Sequence, residues 1–171
     1  MSIRPKLAEA VNNQIQLEFQ SAYLYLSMSA WFTQNNLPGC AHWMHLQWQE
    51  ETQHALKLFK FLHDRGGNVV LQALAAPNEQ YSTALDVFKS VQAHEELITS
   101  AINDLYEVAI QEKDLPLQVV LQWFINEQVE EESQVGEIVD QFTMIGSDGP
   151  SVYLLDRQLA SRTATSGSST N

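Results

Sequence analysis

The chain has 171 residues, a formal net charge of −12, 44 % apolar residues and a single cysteine, Cys40. That length suits one domain with one ordinary core, and the acid excess argues against nucleic acid and anionic membrane surfaces as partners. One thiol cannot make an intrachain disulfide, a zinc ribbon or a cysteine-ligated cluster.

The chain starts Met1-Ser-Ile-Arg-Pro-Lys6 and soon reaches Glu9 and Glu18. It lacks the unbroken apolar run of a secretory leader or a membrane span. A soluble, cytoplasmic protein is expected. Pro5 opens a first segment, which Asn35-Asn36-Leu37-Pro38-Gly39 closes. Gly66-Gly67 closes a second, and Asp114-Leu115-Pro116 separates a third from a fourth. Gly146-Ser-Asp-Gly149-Pro150 ends the fourth. Such clusters are turn punctuation. The stretches between them, roughly 6–36, 39–65, 83–113 and 116–145, each carry apolar residues at alternating spacings of four and three, which places them on one helical face. Val11, Ile15, Ala22, Tyr25 and Phe32 mark the first such seam, and Leu117, Leu121, Phe124, Val135 and Phe142 the fourth.

Short first and third connections make antiparallel neighbours. The second connection, about 16 residues, reaches ~53 Å when extended. That exceeds the ~45 Å of a 30-residue helix. The predicted fold is all-α: an antiparallel four-helix bundle with one long crossover, plus a short fifth helix over Val152–Ala160. Within the crossover, Asn68-Val-Val-Leu71 looks β-like. The domain is expected to cover 1–161, with residues 162–171 a Ser/Thr-rich disordered tail. Leu17, Leu24, Leu26, Met28 and Trp31 lie off the first seam and suggest subunit contacts.

Each seam is interrupted near its middle by polar groups: Glu18; Glu51 with His54; Glu95; Gln128 with Glu131. A buried carboxylate is costly unless something neutralises it. Four at one level demand positive charge, and two divalent cations balance them. Oxygen ligands with one imidazole suit iron or manganese better than zinc or copper. Carboxylate-bridged dimetal bundles take a Glu from each of two helices and an E-x-x-H pair from each of two others. Glu18 and Glu95 are the lone pair, Glu51-Thr-Gln-His54 is one E-x-x-H, and Gln128-Val-Glu-Glu131 replaces the second. A zinc-protease helix would need His where Glu50 stands.

With these residues, and above all with the stretches Gln49–His54, His94–Thr99 and Leu121–Glu132, the chain resembles the bacterial-type non-haem ferritins over nearly its whole length. The resemblance implies a ferroxidase centre. One iron is held by Glu18, Glu51 and His54; the other by Glu51, Glu95, Gln128 and Glu131, with Glu51 bridging. A third iron site maps onto Glu50, Glu127 and Glu130, although Glu127, Glu130 and Glu132 also read as a solvated acidic stripe. Tyr25 maps onto a tyrosine beside the centre, a possible electron donor or simply a packed core residue. Trp123 maps onto a neighbouring tryptophan. Haem-binding relatives place a methionine where Thr52 stands, so no haem is expected.

The implied activity is oxidation of the substrate Fe2+ by O2, with ferric mineral deposited in a hollow homo-oligomeric cage of twenty-four subunits. The short last helix would pack around fourfold axes. A di-iron oxygenase without storage, and a bundle whose polar layer binds nothing, are the other readings.

Overall fold

A computed structural model describes residues 2–77 and 80–164. The helices are α1 Pro5–Gln34, α2 Pro38–Asp64, α3 Ala84–Gln111, α4 Leu115–Ile145 and α5 Gly149–Leu159. No strand occurs among the described residues, and Asn68–Leu71 is irregular chain. Its β-branched residues lack a partner strand.

Local chemistry sets the boundaries. Proline stands in the first turn of α1, α2, α4 and α5, where its missing N–H costs nothing. A reciprocal capping box between Thr83 and Asp86 starts α3. Asp114 accepts from the Leu117 amide at the start of α4 and also takes a two-pronged ion pair from Arg65, both bonds 2.9 Å. Asp148 caps α5, which therefore begins three residues before the predicted Val152.

Two apolar clusters fill the bundle. One gathers Leu7, Val11, Ile15, Leu58, Leu62, Ile98, Ile102, Leu117 and Leu121. The other gathers Met28, Phe32, Met44, Phe88, Val91, Val135 and Phe142, with Leu155 and Leu159 of α5. α1 runs from the first cluster to the second and α2 returns; α3 runs from the second to the first and α4 returns. The α2–α3 crossover therefore spans the bundle, as its length predicts. Met28, expected on an outer face, is instead fully buried in the second cluster. Leu17, Leu24 and Trp31 are half-buried and Leu26 is exposed.

The crossover is tied along α1 by side chains. Asn12 donates to the Asn68 carbonyl and accepts from the Val70 amide. Gln20 does the same with the carbonyl and amide of Ala75, and Gln16 donates to the Ala73 carbonyl. A polar stripe at a spacing of four thus supplies hydrogen bonds that a strand partner would otherwise give.

Candidate metal centre

The polar layer lies between the two clusters. Glu18, Glu51, His54, Glu95, Gln128 and Glu131 are all 5 % exposed or less, and Tyr25 is fully buried beside them. The seams deliver these groups because a residue three or four positions along a helix stays on the same face. The structure brings all seven predicted residues together.

Three of the four carboxylates accept from an amide or phenol donor. Gln14 Nε2 donates to Glu18 Oε1 at 2.9 Å, and Gln47 Nε2 to Glu131 Oε2 at 2.7 Å. Glu95 accepts from the Tyr25 hydroxyl and, at 3.0 Å, from Gln128 Nε2. Gln128 Nε2 also lies 3.2 Å from Thr99 Oγ1, which donates to Glu132. Glu51 is the exception. Its Oε2 is buried without a hydrogen-bond partner, and the nearest basic atom is His54 Nδ1 at 3.4 Å. Glu18, Glu51 and His54 offer one ligand atom each, all within 4.8 Å of one another.

Charge in this layer is poorly compensated. Burial pushes the Glu18 carboxyl well above its ordinary value, and Glu51 adds to the rise. Glu51 is pushed well up by burial, then by Glu95 and Glu131. Burial also raises Glu95. It lifts Glu131 to about 7, with Glu95 and Glu50 adding to the effect. No lysine or arginine is buried among the described residues. An orphaned carboxylate oxygen, four crowded acids and an adjacent imidazole fit divalent cations with hard oxygen and nitrogen ligands.

The neighbours are organised. His94 Nε2 lies 2.8 Å from Ser21 Oγ, whose own proton goes to the Leu17 carbonyl, so His94 is the donor. Burial lowers its pKa to about 4 and keeps it neutral. Its ring meets Tyr25 edge-on. Trp123 meets His54 edge-on at 5.2 Å and carries Lys57 Nζ over its ring. Thr52 donates to the Trp48 carbonyl one turn back.

The predicted third set is less enclosed. Glu50 and Glu127 are half-buried and Glu130 is exposed. Burial raises Glu127, helped by Glu130 and Glu50. Glu50 is bonded to Arg162 at 2.8 Å, a residue assigned from sequence to the disordered tail. Residues 165–171 of that tail lie outside the described residues. Gln14, Gln47, Thr99 and His94 also escaped the reading of the sequence as partners of the centre. Gln14 carried a true signal, four residues before Glu18; Gln47 stands at the same spacing from Glu51 but donates to Glu131.

A family model described as a ferritin-like domain matches residues 8–145. The chain is 39 % identical over 153 residues to a probable bacterial non-heme ferritin-like protein of Haemophilus influenzae, covering 90 % of this chain and 93 % of that one. It is 34 % identical over 158 residues to the bacterial non-heme ferritin of Escherichia coli O6:H1, covering 92 % and 96 %. Among solved structures, a closed form engineered from the Archaeoglobus fulgidus ferritin superposes with a TM-score of 0.94 at 44 % identity, covering 96 % of this chain and all of that one. The open-pore ferritin of the same archaeon gives 0.93 at 44 % identity, covering 95 % and 100 %. Sequence and fold agree over nearly the whole chain, and the chain belongs to the ferritin family.

Proposed function

We propose that the chain is a subunit of an iron-storage shell that oxidises Fe2+ with O2 at this centre and deposits ferric mineral inside. The orphaned Glu51 oxygen carries the proposal: a buried carboxylate oxygen with no hydrogen-bond partner, flanked by three more acids, is stabilised by bound cations. Iron is the substrate. Each Fe2+ gives one electron to O2, and a pair held side by side delivers two.

The chain's residues set charge and position. Glu18 and His54 hold one ion, Glu95 and Glu131 the other, and Glu51 faces both. Gln14 and Gln47 fix the carboxylates of Glu18 and Glu131. Gln128 places a neutral amide where a carboxylate would hold Fe3+ more firmly, which favours release. Its Nε2 is engaged by Glu95 and Thr99, leaving Oε1 for the ion. Burial, with Glu95 and Glu51, raises the Tyr25 hydroxyl well above its ordinary value, so it remains a phenol. As an electron donor to O2 it would pass its proton to Glu95, its hydrogen-bond acceptor. Glu50, Glu127 and Glu130 form a third cation position on the way to the mineral. No haem takes part. The working assembly is a homo-oligomeric cage of twenty-four subunits in the cytoplasm. No described helix is long and apolar enough to cross a membrane.

Aerobic Fe2+ loading followed by electron microscopy tests this. Hollow shells with dense cores are expected. Glu18→Ala and His54→Ala should slow initial oxidation on the order of 10–100-fold or more, by loss of a ligand. Discrete small particles, or unchanged rates in both variants, would overturn the proposal.

A further inference from the structure

Beyond the end of α5, at Leu159, the chain turns down along α2 and docks through one side chain. The Arg162 guanidinium makes two hydrogen bonds and a cation–π contact. Nη1 donates to Gln47 Oε1 at 2.5 Å, Nη2 to Glu50 Oε2 at 2.8 Å, and Cζ sits over the Trp43 ring, 4.8 Å from its centroid. The Arg162 carbonyl accepts from His42 Nε2 at 2.9 Å. Trp43, Gln47 and Glu50 follow the 4–3 spacing of one helical stripe. The ion pair is largely sheltered, with 18 % of each side chain exposed.

Gln47 is the connecting piece. Its oxygen takes the Arg162 proton while its nitrogen donates to Glu131. Arg162 therefore fixes which way the amide points. Without it, the amide is free to flip and turn its oxygen toward Glu131, where two acceptors would face each other. Arg162 also fills a cationic position at Glu50. A divalent ion taken by Glu50 with Glu127 and Glu130 would sit beside the guanidinium, and the two like charges repel.

We infer that Arg162 is a latch carried by the tail: it positions Glu131 through Gln47, holds Glu50, and is displaced when a divalent cation reaches the third position. This rests on the proposed role of Glu50, Glu127 and Glu130. Occupancy of that position and docking of the tail then oppose each other, so cations arriving there release the tail from α2.

Calorimetric titration of the assembled, iron-free protein with Zn2+, a cation with no redox chemistry, tests the latch without turnover. Arg162→Gln should tighten the weakest class of Zn2+ sites at least about fivefold, as expected when a sheltered competing charge is removed. The tight sites that use Glu131 should weaken, because the Gln47 amide is then free to turn its oxygen toward that carboxylate. Arg162→Lys, which keeps the charge but loses the fork, should show a smaller gain. In a Glu50→Gln background the gain should vanish. In the wild type, filling the weak class should also shift tryptophan emission as the guanidinium leaves Trp43, and Arg162→Gln should abolish that shift. Affinities untouched by Arg162→Gln, or an equal gain without Glu50, would overturn the latch alone. A wild type that takes up no Zn2+ would overturn the metal centre and the latch together.

Discussion

Glu51 shows what the interior gives up for its chemistry. A buried acceptor without a donor costs about 1–3 kcal/mol, and here three further acids surround it. Glu51→Gln puts an amide donor among those acids and removes one charge. The iron-free variant should therefore melt higher than wild type, by about 1–3 kcal/mol of stability. Divalent cations should stabilise the wild type strongly and the variant weakly. Calorimetric melts with and without Zn2+ check both signs. Tyr25→Phe leaves Glu95 with Gln128 as donor and should slow oxidation while Zn2+ stoichiometry holds; unchanged rates would make Tyr25 a packing residue only. The members of the buried polar layer were legible in the sequence because a Glu in an apolar seam breaks a strong pattern. Gln47 stood in its seam with no assigned role, because a buried amide has no chemistry until its neighbours are known. Arg162 had no signal at all, since nothing in a Ser/Thr-rich stretch predicts which α2 residues it meets.

Among the elements, helix ends carry energy that periodicity does not reveal. The Asp114 carboxyl caps α4 and is held below its ordinary 3.8 by the Arg65 guanidinium, with the Leu117 amide assisting. A lowered folded pKa means this stabilisation is fully present above 3.8 and is lost as pH falls through the folded value. Asp114→Ala should cost about 2 kcal/mol at pH 7, from lost cap and ion pair together. The penalty should shrink in acid, as denaturant melts at both pH values will show. Gly39 governs α5. A Cβ there would sit 1.7 Å from the Asp156 carbonyl oxygen, and Asp156 Oδ1 accepts from the Cys40 amide at 2.8 Å. Gly39→Ala should loosen α5, seen as faster hydrogen exchange over residues 149–159. The four long helices were readable because Pro, Gly and Asn punctuate them. The start of α5 was not, because Gly149-Pro150 reads equally as a turn and as a first helical turn once Asp148 caps it.

Taken as one molecule, the chain is two helical hairpins, α1–α2 and α3–α4, facing each other across an acidic layer. Its surface keeps apolar residues that a lone subunit has no use for. On α5, Tyr153 is 61 % exposed and Leu154 68 %. Their faces fit contact with further copies in the proposed shell. Leu154→Glu should leave helix content and melting of the subunit close to wild type. It should break the assembly into small species in sedimentation velocity; an intact cage would place the contact elsewhere.

The Glu18, Glu51 and His54 triad belongs wholly to the first hairpin. Its last residue is made before any of α3 or α4 exists. At typical translation speeds the chain then needs roughly 5–18 s more to reach the end of α4. A hairpin folded in that interval would present the three groups with neither Glu95 nor Glu131 packed against them. A cation captured then would already be in place when the second hairpin closes, so the acidic layer would form around it rather than against itself. The order of synthesis would then be part of how a bundle with so acidic a centre closes.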